Sequence, residues 1–217
     1  MKIIKPKIPP ELLAVENFLL YSTEFREDEQ EIKGISVCDH YIEHANVSPI
    51  YMQGAVFKKC VFKDCDFEKS SFVDVIFDGC DFSNSNLKNT YLNRCEFISC
   101  KCIGMDICDS TLKDLLLQNS NFQYASFDHS SMNGVYALSS DFTSALISEV
   151  KIKNFQSKDS QFIGTNFFKT ALKSLDFTES IFAGIVVSDQ MLELRGCIVN
   201  QFQTVDIAKM MGVIVKE

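Results

Sequence analysis

The 217-residue sequence predicts an all-β solenoid, and three observations carry that prediction. From Phe57 to Val187 every fifth residue is apolar except Ser157; of these 27 centres, 14 are Phe. Neither a helix nor a strand has a period of five. A repeat held this long marks a chain wound into stacked coils that bury their core only against one another. Nineteen of the 27 residues two before the centres are Ala, Cys, Ser or Thr. A large residue paired with a small one fits the cross-section of a narrow, close-packed tube. Departures from small side chains also recur at a spacing of twenty, with Val75, Leu115, Val135, Phe155 and Leu175 in one column. One coil is therefore twenty residues in four sides of five. Ala137 after Val135 and Ser157 after Phe155 read as volume-conserving exchanges.

Residues 1–31 are expected to form an N-terminal cap and an irregular first coil. Pro9 and Pro10 precede Glu11-Leu12-Leu13, which suits a short helical turn, and the segment is expected to cover the open end of the tube. Thr23-Glu24-Phe25-Arg26-Glu27 carries the five-residue pattern; the register then slips by two across an acidic turn, Asp28-Glu29-Gln30-Glu31, before Ile32. Residues 32–187 form the β-helix. From Met52 to Val187 nothing breaks the count, which gives close to seven coils and a rod of about 35 Å. The three positions between the inward pair are mostly polar and face water. Residues 188–217 are a C-terminal cap and tail. Asn200 and Gln203 form a capping box for a helix ending near Met211, with Gly212 as its stop and Val213-Ile214-Val215 as a short strand. The apolar tail has two readings, a lid folded down on the rod or a contact with a second copy. The dimer is the expected one, as the commonest symmetric oligomer, joined through Phe202, Val205, Met210, Met211, Val213 and Val215.

Composition excludes several function classes. No apolar run reaches bilayer-crossing length, and the N-terminus lacks a signal-peptide core, so a cytoplasmic location is the default. Of nine cysteines, Cys60, Cys65, Cys80, Cys95 and Cys100 sit in the small column and Cys102 at a centre. The ladder Cys60, Cys80, Cys100 continues as Ser120, Ser140, Ser160, Ser180. These are expected to be buried free thiols rather than disulfides or metal ligands. No nucleophile–base pair, phosphate loop, cofactor site or metal motif is present, and His129 beside Asp128 reads as solvated surface, so an enzyme is not expected. The net charge of −8 argues against direct nucleic-acid binding.

The charge distribution supplies the candidate site. Between Cys102 and Val150 the only Lys or Arg is Lys113, against Asp106, Asp109, Asp114, Asp128, Asp141 and Glu149. A rod acidic in its middle is able to occupy a basic DNA-binding surface, because the field that attracts phosphate attracts carboxylates. The plainer reading is solubility, since exposed rungs need charge to resist stacking.

Units such as Cys65-Asp66-Phe67, Ser85-Asn86-Leu87 and Thr165-Asn166-Phe167 resemble the pentapeptide-repeat family, and that resemblance implies a right-handed quadrilateral β-helix. The tail order, Gly196-Cys197-Ile198-Val199, then Phe202-Gln203, then Met211-Gly212-Val213-Ile214-Val215, resembles the ending of the Qnr quinolone-resistance proteins. This implies a DNA-mimicking protein that binds DNA gyrase and topoisomerase IV, protects them from quinolones, and dimerises through its C-terminal helices. Many members of that family carry loops between coils that contribute to protection. The unbroken register after Met52 leaves no room for them, so activity would fall to the rod faces, the tail or the acidic turn near Asp28. The alternative is a repeat scaffold for an unrelated protein partner.

Overall fold

The computed structural model describes residues 3–28 and 30–216. It is a parallel β-solenoid of about eight turns with a short C-terminal helix. The elements run β1 (Leu13–Ala14), α1 (Phe18–Glu27), β2 (Glu31–Lys33), β3 (Ile35–Cys38), β4 (Tyr41–Glu43), β5 (Tyr51–Lys58), β6 (Val61–Lys63), β7 (Ser71–Asp78), β8 (Tyr91–Ile98) and β9 (Thr111–Gln118). They continue with β10 (Ser131–Leu138), β11 (Lys151–Lys158), β12 (Gln161–Ile163), β13 (Ile181–Ala183), a 3-10 turn (Leu192–Leu194) and α2 (Gln201–Met210). The ladder β5-β7-β8-β9-β10-β11 pairs in parallel with a constant offset of twenty residues, as in Phe57↔Phe77 and Met132↔Ile152. Each eight-residue strand covers two sides of the tube. It turns the corner at a left-handed residue such as Asp74, Arg94 or Asp114, with φ of 51–57°.

The centres and the small column are the core. Phe57, Phe62, Phe77, Phe82, Phe97, Phe122, Phe142 and Phe162 are all at most 2% exposed. Rings twenty apart lie face to face, with centroids 5.2 Å apart for Phe122 and Phe142 and 5.1 Å for Phe142 and Phe162. That spacing follows from the rung separation of parallel strands and lies within the stacking range of aromatic pairs.

The small column proves to be more than a size constraint. Its hydroxyls satisfy backbone groups inside the tube: the Ser140 hydroxyl donates to the Leu117 carbonyl (3.0 Å) and accepts from the Ser120 N–H (3.1 Å). The Cys100 thiol likewise donates to the Phe77 carbonyl at 3.3 Å. Small residues with a donor are favoured there because a buried polar group must be paired. All nine cysteines are free, six of them buried. The neighbouring Cys100 thiol and burial push the Cys80 thiol up to about 12, so Cys80 is held as a thiol rather than a reactive thiolate.

The N-terminus differs from expectation. Leu13–Ala14 is a strand paired with Ile35 and Ser36, not a helical turn. Thr23–Glu27 lies within α1 rather than in a first coil. Asn17 caps α1 by accepting the Leu20 N–H, and Phe18 packs edge-on against Phe57 and Phe62 at 5.2 and 5.8 Å. With no coil beneath to pair with, this segment satisfies its backbone by internal helical bonds while Phe18 covers the apolar end. Glu29 of the expected acidic turn lies outside the described residues. Nor does the stretch before Leu13 cover the end. It runs along the rod's side, where the Lys7 N–H donates to Asp74 (2.9 Å) and Pro9 lies over Gly54. A Cβ on Gly54 would meet the Pro9 ring at 2.9 Å.

At the other end the register gains two residues, Asp176 pairing with Ile198. The 3-10 turn absorbs them, and the buried Glu193 carboxylate accepts from the backbone N–H groups of Lys169 and Ser188 and from the Ser188 hydroxyl. The α2 capping box forms as expected, and Gly212 follows with φ 82°. Val213–Val215 is not a strand, since it has no partner strand among the described residues. No described helix is long and apolar enough to cross a membrane.

Candidate functional site

The six carboxylates of the acidic belt divide among three sides of the rod. A side consists of positions that stack at intervals of twenty, so residues 105–109, 125–129 and 145–149 share one. Asp106, Asp109, Asp128 and Glu149 stand on that side, together with Asp66 and Glu68 from lower coils. Asp114 belongs to the side of Asp74 and Arg94, and Asp141 to that of Asp81 and Lys101. The belt is therefore a carboxylate face of six acids and three lysines (Lys69, Lys88 and Lys169), with two outliers.

The roles of these acids differ. Asp106 and Asp141 sit one before a centre, and each closes its own turn by accepting the N–H two residues on, Cys108 at 3.2 Å and Thr143 at 2.8 Å. Asp66, Asp81, Asn86, Asn121, Asn166 and Asp176 do the same. This local bond is the reason Asp and Asn recur there. Asp141 also accepts from the Gln123 amide at 2.6 Å. Asp106 is ion-paired to Lys88 (2.9 Å). Burial acts to raise its carboxyl, but the Lys88 ammonium and the Cys108 N–H together hold it below the ordinary value. Asp128 accepts the Ser148 N–H at 2.7 Å.

Asp109 and Glu149 stand free of such turn bonds. They occupy a corner column, Lys69, Asn89, Asp109, His129, Glu149, Lys169, in which every residue has φ between 56° and 60°. Glu149 pairs with Lys169 at 2.9 Å and lies 3.6 Å from His129. The hydrogen bond from the Lys169 ammonium lowers its carboxyl from the ordinary value. His129 is more than half exposed. No group of three or more His, Cys, Asp or Glu among the described residues is placed to hold a metal ion.

The tail residues separate into two sets. Phe202, Met211, Val213 and Val215 are exposed, Phe202 by 76%. Val205 is half-buried, and Met210 packs against the rod's own core. The buried anchor of α2, absent from the expected set, is Gln203, whose amide donates to the Phe177 and Ser180 carbonyls at 2.9 and 2.7 Å. Its capping-box position was the only signal for it in the sequence.

Residues 70–136 match the family model described as a pentapeptide repeat region. No curated protein matches the chain. Among solved structures, HetL, a pentapeptide repeat protein involved in heterocyst differentiation regulation from the cyanobacterium Nostoc sp. strain PCC 7120, is similar with a TM-score of 0.58 at 10% identity, over 76% of this chain and 85% of its own. A trypsin-treated form of QnrB1, a plasmid-mediated fluoroquinolone resistance protein, has a TM-score of 0.48 at 17% identity, over 95% and 99%. At these identities the likeness to HetL is one of fold alone.

Proposed function

We propose that this chain is a binding rod whose carboxylate face occupies a basic, nucleic-acid-binding surface of a partner, with DNA gyrase and topoisomerase IV as the partners and protection from quinolones as the result. The observation that carries the reading is the gathering of six carboxylates against three lysines on one side, in columns along the rod axis. Fixed columns of negative charge compete with phosphate for a basic groove without needing any sequence-reading contact. The order of the tail, with its capping box and apolar finish, supports the same assignment by resemblance.

The test is gyrase supercoiling at rising ciprofloxacin with the wild-type chain and with Asp109→Lys/Glu149→Lys. Lysine already occupies this corner column at Lys69 and Lys169 with the same left-handed backbone, so the substitution leaves the fold unstrained. The wild type is expected to restore supercoiling, and the variant to lose about tenfold or more in protective potency. No restoration and no gyrase binding would overturn the assignment. The second reading, a scaffold for an unrelated protein, would then stand. It draws on the use of Asp106 and Asp141 in turns and on the placing of Asp114 and Asp141 away from the carboxylate face.

The proposal includes a dimer formed through the tail. Phe202, Met211, Ile214 and Val213 are each more than half exposed at one end of the rod, a concentration of apolar surface that suits a second copy. Phe202→Asp with Val213→Asp is expected to give a monomer by light scattering with the β spectrum retained. A wild-type monomer, or a variant that remains dimeric, would remove the tail from the account.

A further inference from the structure

The rod comes unzipped at one place. On its lower edge β11 pairs with β10 at seven positions, from Ser131↔Lys151 to Leu138↔Lys158. Toward the next coil, residues 171–178, no backbone hydrogen bond leaves residues 152–158. That coil instead pairs upward, as in Leu172 N–H to the Glu193 carbonyl and Ser174 N–H to the Gly196 carbonyl. The two coils stay tied at their ends, where the Val150 N–H reaches the Thr170 hydroxyl (3.0 Å) and the Asp159 N–H reaches the Glu179 carbonyl (2.8 Å). Within the gap they are tied only through a side chain, the Ser157 hydroxyl donating to the Asp176 carbonyl (3.3 Å).

The cause is Phe155. It stands in the inward column where the four coils below carry Ala55, Val75, Cys95 and Leu115 and the adjacent one Val135. Its ring, 6.3 Å from those of both Phe162 and Phe177, props the next coil away. Ile152 and Phe155 are consequently half-buried, while the matching Met132 and Val135 are at most 3% exposed. Open clefts of about 560 Å³ and 440 Å³ lie at the two ends of the gap. A strand edge left unpaired inside an otherwise closed ladder is a ready template for another strand.

We infer that this open edge of β11 is a docking site for an extended acidic segment of a partner protein, which adds to the sheet as a strand. Charge selects the occupant. Lys151 and Lys153 line one end of the gap, exposed and with no ion-pair partner among the described residues, with the exposed Lys173 on the facing coil. The one acid there, Glu149, is taken by Lys169. The other end carries Lys158 with Asp176 and Glu179, so the selection acts at the lysine end. Backbone pairing along β11 supplies affinity, and the lysines choose carboxylate side chains on the incoming strand. The gap borders the carboxylate face at Glu149 and Lys169. The groups it relies on, the β11 backbone and Lys151, Lys153 and Lys173, lie off that face, so their substitution tests this site without altering the acids of the topoisomerase assignment.

The probe is a fluorescein-labelled peptide of alternating Asp and Val, matched to β11 in length, titrated into the full chain by anisotropy. Controls are the same peptide with alternate backbone N-methylation and one with Lys replacing Asp. The acidic peptide is expected to bind, the N-methylated one not to, and Lys151→Glu/Lys153→Glu/Lys173→Glu to weaken binding by about tenfold or more. Phe155→Val should let the coils zip together and abolish binding in a folded rod. Hydrogen exchange supplies a second readout: amides within 152–157 should exchange far faster than their counterparts within 132–137, and become protected when the peptide is added. Equal binding of the N-methylated or lysine peptide would overturn strand addition or charge selection respectively. Slow exchange of the β11 amides in the free chain would overturn the open edge itself. If the lysine substitutions turn a dimer into a monomer, the occupant is a second copy and the proposal fails.

Discussion

Phe142→Ala is expected to cost about 3–5 kcal/mol of folding stability. The ring is 2% exposed and lies flat between Phe122 and Phe162, at 5.2 and 5.1 Å with interplanar angles of 6° and 4°. Removing it leaves a hole that the surroundings cannot close. In a helical bundle a neighbour moves in; here the rungs above and below are held by ladders of backbone hydrogen bonds at fixed spacing, so the cavity persists and the upper end of the cost range applies. The cost also spreads along the axis, because each coil is stabilised mainly by its neighbours. Urea unfolding followed by circular dichroism measures it: the midpoint should fall. A reduced slope as well would mean that the rod has divided at this rung into two units that unfold separately. A loss below about 1 kcal/mol would show that the stack relaxes, contrary to this account.

The core was legible in the sequence because its geometry is one-dimensional. A period of five with a superperiod of twenty places Phe122, Phe142 and Phe162 over one another without any knowledge of tertiary contacts, and the pairing of Met132 with Ile152 follows from counting. The same counting misled at the N-terminus. Thr23–Glu27 carries the five-residue pattern, but the pattern becomes a coil only where a rung exists to receive its hydrogen bonds, and at the end of the rod a capped helix satisfies the backbone instead.

The candidate site was less legible, for a different reason. Asp106 and Asp109 look alike in sequence, yet one closes its own turn and pairs with Lys88 while the other stands at an exposed corner. The distinction lies in the position within the five-residue unit, since an acid one before the centre accepts the N–H two residues on. That signal was present in the sequence and would have removed Asp106 and Asp141 from the free acids. The exchange of Phe155 for Ser157 was visible as a size swap. Its consequence, a gap in the ladder, was not visible, because it depends on whether the next coil can close over a displaced ring.

Arg94→Ala is expected to destabilise the rod by about 3 kcal/mol, by stranding the Asp74 carboxylate. The guanidinium meets Asp74 through two hydrogen bonds, Nε to Oδ1 at 2.6 Å and Nη2 to Oδ2 at 2.7 Å, and the Asp74 side chain is only 3% exposed. Oδ1 also accepts the Lys7 N–H, so this one carboxylate fastens the N-terminal segment to the side of the tube. Burial acts to raise the Asp74 carboxyl, but the Arg94 and Lys7 contacts together hold it below its ordinary value of 3.8. A carboxyl depressed on folding contributes stability that is fully present above its unfolded value and is lost as the pH falls through the folded one. The wild type should therefore lose stability in the window below about pH 4, in part through this group. Arg94→Ala should lose it at neutral pH and show a weaker acid dependence, because the unpaired carboxyl moves upward. Asp74→Asn separates the two functions of the carboxylate. It keeps an acceptor for the Lys7 N–H but no charge for Arg94, and should cost less than Arg94→Ala while flattening the same acid limb. Equal acid limbs in the wild type and both variants would place the pH dependence in other groups and remove this carboxylate from it.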